Sequence, residues 1–131
     1  MTLKRSLAVL LVLLIAVVSY GQSDQKSLKG YELYSWQRDG EWYYSLLPAT
    51  NRMKTYQEIM SDQAARKGTK AIRAELSKLQ RGETVFWKSE GSPGIEKPST
   101  RDYPRLSHPK GSRVKKILRH CGKHGIKLHL V

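Results

Sequence analysis

Apolar residues change period several times along the chain, and each change predicts an element. Residues 31–37 (Tyr-Glu-Leu-Tyr-Ser-Trp-Gln) and 42–47 (Trp-Tyr-Tyr-Ser-Leu-Leu) are rich in side chains that suit a pleated sheet. Between them stands Arg38-Asp39-Gly40-Glu41. Asp-Gly favours a two-residue type I′ turn, because Gly accepts positive φ freely and Asp accepts it better than most residues. That turn sets a register in which Arg38 faces Glu41, Trp36 faces Tyr43, Ser35 faces Tyr44 and Leu33 faces Leu46. The pleat then puts Leu33, Leu46, Tyr44 and Trp42 on one face and Tyr34, Trp36, Tyr43 and Leu47 on the other. Both faces are partly apolar. The hairpin is therefore expected to be covered on each side or to offer one side to a partner.

After the polar exit loop 48–54, Thr55-Tyr56-Gln57-Glu58 reads as a capping box. The Thr55 hydroxyl accepts from the Glu58 amide, and the Glu58 carboxylate returns to the Thr55 amide. A short helix over 56–60 should follow. Residues 69–79 form the first long amphipathic helix, with Ile72, Leu76 and Leu79 at i, i+4 and i+7, and Gly82 as a stop. Residues 83–87 are a short apolar strand. The second long helix, 109–123, carries Val114, Ile117, Leu118 and Cys121 at i, i+3, i+4 and i+7. Residues 126–131 alternate apolar and polar, as a half-buried strand does. The last two strands and the helix between them make a β-α-β unit with parallel strands. Residues 88–108 hold Pro93, Pro98 and Pro104 among glycines and serines. Prolines remove backbone donors, so a long surface loop is expected.

The expected fold is α+β. It is a small mixed four-stranded sheet in the order β-β-α-α-β-α-β, with two amphipathic helices on one face. The core set is Leu33, Leu46, Ile72, Leu76, Leu79, Val85, Phe86, Val114, Ile117, Leu118, Cys121, Ile126, Leu128 and Leu130.

The N-terminus changes the picture of where this domain works. Lys4 and Arg5 precede an unbroken apolar run over 7–18, and Ser19 and Gly21 are small residues suited to cleavage before Gln22. A membrane-spanning helix needs about 20 apolar residues, and this run is shorter. Residues 1–21 thus read as a secretory signal, 22–29 as a polar spacer and 30–131 as one small domain. The expected destination is periplasmic or extracellular, with no membrane span after cleavage. An uncleaved leader would instead tether the protein. Cys121 has no partner in the chain, so no internal disulfide can form.

Charge narrows the function. Of 131 residues, 24 are Lys or Arg and 11 are Asp or Glu, a formal charge of +13 that falls to +11 without Lys4 and Arg5. Residues 97–131 hold ten cations and a single acid, Asp102. Lys116, Arg119 and Lys123 share the outward helix face, a stripe suited to a polyanion. Nucleic acid is the less favoured ligand, because most aromatics lie in the hairpin, away from the cations in sequence. Trp36 and Trp42 could offer an aromatic platform. Asn51, Arg52 and Lys54 put an amide, a guanidinium and an ammonium on a loop leaving a rigid hairpin. His120 and His124 are spaced i, i+4, but a metal site wants three or four converging ligands. No metal or cofactor is expected, and Cys121 is read as a small buried apolar residue. No catalytic motif is visible.

One segment bears a resemblance. Gly30-Tyr31-Glu32-Leu33-Tyr34-Ser35-Trp36-Gln37, then Trp42, Ser45-Leu46-Leu47-Pro48, Thr50-Asn51-Arg52 and Lys54, resembles a pattern in small exported bacterial proteins of unassigned function. It spans about a third of the mature chain. Those proteins carry Gly where this chain has Ala49, so the exit loop is expected to differ. The resemblance implies a bacterial exported domain and brings no activity with it. The reading as a whole is an exported, basic, non-catalytic binding protein, its partner an anionic envelope polymer or a protein. The alternative is a small secreted hydrolase or nuclease using His120, His124 or His129.

Overall fold

Asp39 and Gly40 take φ of 52° and 76°, the backbone that a two-residue I′ turn requires. On either side run β1 (Tyr31–Arg38) and β2 (Glu41–Pro48), paired in the register expected from the turn, from Arg38 with Glu41 to Leu33 with Leu46. The computed structural model describes residues 30–98 and 102–131. The leader at 1–21, the spacer at 22–29 and loop residues 99–101 lie outside the described residues.

The chain continues through α1 (Tyr56–Ile59), β3 (Ala65–Lys67), α2 (Gly68–Leu76), β4 (Thr84–Lys88), α3 (Ser112–Lys123) and β5 (Lys127–Leu130). The class is α+β, as expected, but the sheet has five strands in the order β3-β2-β1-β4-β5. β2 pairs antiparallel with β1 and β3, whereas β4 pairs parallel with β1 and β5. The four-strand expectation missed β3. Its three residues, Ala65, Arg66 and Lys67, show no alternation of their own and become a strand by pairing with Ser45, Tyr44 and Tyr43. A short charged segment is what a sheet edge tolerates.

One face of the sheet carries Leu33, Tyr44, Val85 and Trp87. Ile72 and Leu76 of α2 and Val114, Ile117 and Cys121 of α3 pack onto them. The two long helices therefore cover one face. Trp87 Nε1 donates to Ser35 Oγ at 3.0 Å, which satisfies two buried polar atoms at once. Leu118 is 36% exposed and Leu130 is exposed at the end of β5, so neither is a core residue. Leu118 lies about 100° around α3 from Ile117, at the margin of the buried stripe.

The other face has its own core, built from Tyr34, Trp36, Tyr56, Ile59, Met60 and Leu106. α1 is tied to it by Ser45, whose hydroxyl donates to the Ile59 carbonyl. Thr55 caps α1 through the Glu58 amide at 3.1 Å, as the capping box predicts. The Glu58 carboxylate takes the Arg52 guanidinium rather than the Thr55 amide. The described part of 88–108 is a surface loop pinned to the sheet at several points. Ile95, Tyr103 and Leu106 pack into this second core, Leu106 bridges to Trp36, and the Ser107 amide donates to the Ser35 carbonyl at 2.7 Å. Proline denies this stretch a regular ladder, and single bridges hold it instead.

Candidate functional site

The outward side of the helical layer is the first candidate. α3 places Lys115, Lys116, Arg119 and Lys123 in solvent. At 100° per residue they fall in an arc of about 100° centred opposite Val114, Ile117 and Cys121. No acid occurs in α3. α2 adds Lys70 and Arg73, and its one carboxylate, Glu75, is occupied by Arg66 Nε and Lys78 Nζ, both at 3.1 Å. Those two partners hold the Glu75 carboxyl below its ordinary range, Lys78 first.

Trp42 joins this layer. The Arg113 guanidinium lies 3.4 Å from the centroid of its ring, in the first turn of α3. A cleft of about 630 Å³ runs beside them, lined by Trp42, Ser107, His108, Lys110, Gly111 and Arg113. The aromatic that sequence separates from the basic helix is adjacent to it in space. Trp36 is placed differently. At 1% exposure it stacks on Tyr43 inside the second core, with Leu106 bridged to it. The aromatic platform of Trp36 and Trp42 is thus closed, because the two residues lie on opposite faces and Trp36 is covered.

The exit-loop residues do not act as one group either. Asn51 is exposed. Arg52 donates through both terminal nitrogens to Glu58, at 3.0 and 2.8 Å on the surface, and this contact lowers the Glu58 pKa. Lys54 turns inward and is 3% exposed. Its backbone is stitched to the long loop, with the Lys54 amide donating to Gly94 and the Glu96 amide donating to Lys54, each at 2.8 Å.

Lys54 belongs to a buried polar cluster that the sequence does not announce. Its Nζ donates to Thr50 Oγ1 at 3.1 Å and lies 3.4 Å from Glu32 Oε2. Glu32, also 3% exposed, accepts from Lys88 Nζ at 3.3 Å and from the Tyr34 hydroxyl. Lys88 Nζ also donates to the Pro93 carbonyl at 3.0 Å. Burial, reinforced by the hydrogen bond to Glu32 and its charge, pushes the Tyr34 pKa well above its ordinary value. Two ammonium groups thus share one carboxylate. The signal available in sequence was a lone acid in an apolar strand, Glu32, and a cation closing another, Lys88. Bringing them together needs the β1–β4 register, which puts Tyr34 beside Lys88.

The histidines divide. The His120 and His124 rings are 4.4 Å apart, with His120 Nε2 2.7 Å from Ser77 Oγ. Partial burial and the neighbouring His124 lower the His120 pKa. His129 stacks on Phe86 across the sheet, so it shares no cleft with them. Cys121 is buried, and burial pushes its thiol up to about 11. Among the described residues no three His, Cys, Asp or Glu side chains converge as a metal site would require, and no helix is long and apolar enough to cross a membrane.

Compared with known proteins, the chain matches no family model, no curated protein and no solved structure.

Proposed function

We propose that this is a small exported binding protein for anionic polymers, its contact surface being the outer side of α3 with the adjoining part of α2. One observation carries the reading. Lys115, Lys116, Arg119 and Lys123 stand on a single exposed arc of a helix that holds no acid. A polyanion laid along such an arc releases its counterions and binds in a salt-dependent way. The Arg113–Trp42 stack anchors the start of the same helix on the sheet, which fixes the arc in place. Export rests on the leader-like pattern in residues 1–21 and belongs to the proposal.

The rival reading, a hydrolase or nuclease, has the His120–His124 pair in its favour. Ser77 Oγ stands 2.7 Å from His120 Nε2, but His129, the third histidine of that reading, is on the other face of the sheet.

Heparin chromatography tests the proposal. The triple variant Lys116→Glu, Arg119→Glu, Lys123→Glu should elute at much lower salt than the parent. A control with equal charge change, Arg38→Glu, Lys97→Glu, Arg105→Glu, should shift far less. On single-stranded DNA the slope of log K against log salt should fall by about 2 in the helix variant. Equal losses in the two triple variants, or none in the first, would leave a basic surface with no particular binding face.

A further inference from the structure

Among the described residues, the cover on the sheet face opposite the long helices lies over β1 and β2. α1 and the long loop lie there, whereas Phe86 on β4 is half-buried and His129 on β5 is exposed. Their rings stack with centroids 5.5 Å apart and planes 24° from parallel. On one side of this pair is a cavity of about 270 Å³, which Phe86 lines together with Glu32, Ala49, Lys88, Pro93 and Val131.

We infer that this cavity binds a small aromatic carboxylate, with its ring on Phe86 and its carboxylate on the Lys88 ammonium.

Charge gives the first argument. Glu32 is shared by Lys54 and Lys88, so the cluster behind the cavity carries one positive charge more than it neutralises. Uncompensated charge at the edge of an apolar interior is costly, and a monoanion in the cavity removes the imbalance. Hydrogen-bond capacity gives the second. An ammonium has three donors. Lys88 spends one on Glu32 Oε1 and one on the Pro93 carbonyl, which leaves one for a ligand. Lys54 does not line the cavity, so Lys88 is the cation a ligand would meet.

The rest of the wall sets the body of the ligand. Ala49, Phe86, Pro93 and Val131 are apolar, so an inorganic anion would leave most of the wall in contact with water. A dianion would be repelled more strongly than a monoanion by the Glu32 carboxylate, which shares the Lys88 ammonium with the ligand. Drug-sized ligands occupy clefts of roughly 300–1,000 Å³. This cavity is smaller and suits a single ring bearing one charged group. Phe86 is the one aromatic in the wall, and it favours an aromatic ring, which gains from stacking beyond its area.

An amide-resolved NMR titration of the whole protein with benzoate tests the inference. Shifts should cluster at Phe86, Lys88 and their neighbours. Benzamide, of the same shape without the charge, and cyclohexanecarboxylate, with the charge but no flat ring, should both bind more weakly. Lys88→Met should weaken benzoate about tenfold or more, while Glu32 keeps Lys54 as its partner. Equal affinity for benzoate and benzamide in the unaltered protein would overturn the inference without recourse to any variant. So would an absence of binding, or shifts that map to α3. The site is independent of the polyanion surface, so the Lys116, Arg119 and Lys123 reversal should leave benzoate binding unchanged.

Discussion

Desolvating a charge costs several kcal/mol even after the surroundings relax. Glu32 and Lys54 meet that cost through a close ion pair and hydrogen bonds to Tyr34, Thr50 and Lys88. Tyr34 is the neutral member of the group, and its hydroxyl is the one donor that can be removed without changing the charge. Tyr34→Phe should destabilise the protein by about 1–3 kcal/mol near neutral pH, the cost of a lost bond to a buried charged acceptor. Its pH dependence follows from the raised pKa. The folded state keeps the Tyr34 proton at pH values where the unfolded chain, titrating near 10, has lost it. Above that value the unfolded state binds fewer protons, so this residue lowers stability by about 1.4 kcal/mol per pH unit. The Phe variant lacks that slope, and its deficit should shrink as pH rises beyond 10. Urea titrations of both proteins at about pH 9 and about pH 11 measure the difference, and a constant gap would show that Tyr34 does not hold its proton in this way.

Glycine positions separate what an element needs from what its packing needs. Gly40 has φ of 76° and open space where a Cβ would stand, so Gly40→Ala bears conformational strain alone, about 1 kcal/mol. Gly30 has φ of 109°, and a Cβ there would lie 2.5 Å from the Thr84 carbonyl oxygen. Gly30→Ala must therefore also push β1 away from β4, and its Tm should fall clearly further than that of Gly40→Ala. Matching losses would mean that the β1–β4 contact yields freely. The same contrast explains what could be read from sequence. Asp39-Gly40 is local chemistry, and it fixed the hairpin register residue by residue. Helix stripes are local too, and Ile72, Leu76, Val114, Ile117 and Cys121 are buried as their spacing predicts. β3 exists because β2 offers it an edge, so nothing within Ala65-Arg66-Lys67 marks it as a strand. The Leu106–Trp36 bridge joins residues 70 positions apart, and no period in 88–108 points to it. The basic face of α3 was visible because one helix carries it. The Glu32 cluster was not, because its members come from β1, β4 and the exit loop, and only their pairing assembles it.

Across the whole molecule, charge is laid out unevenly over three layers, with the long helices outside one face of the sheet and α1 and the long loop over part of the other. Within α3, Lys115 and Arg119, Lys116 and Arg119, and Arg119 and Lys123 are like-charge pairs at i+3 or i+4, each unfavourable by a few tenths of a kcal/mol. A helix selected for stability alone would intersperse acids. Arg119 belongs to all three pairs, so Arg119→Glu alone removes them and sets a carboxylate at i+3 or i+4 from Lys115, Lys116 and Lys123. At low salt Arg119→Glu should melt a few degrees above the parent, since about 1 kcal/mol shifts the Tm of a domain this size by roughly 4–8 °C. At about 0.1 M salt and beyond, screening over about 10 Å should shrink that gain. The same variant, having reversed one cation of the arc, is expected to elute from heparin at lower salt than the parent. A rise in Tm together with a loss of retention is the pattern of cations kept for binding at the expense of stability. A fall in both, read by thermal melts and chromatography on one preparation, would instead make Arg119 part of what holds α3 to the fold, and the anionic-polymer reading would lose its main support.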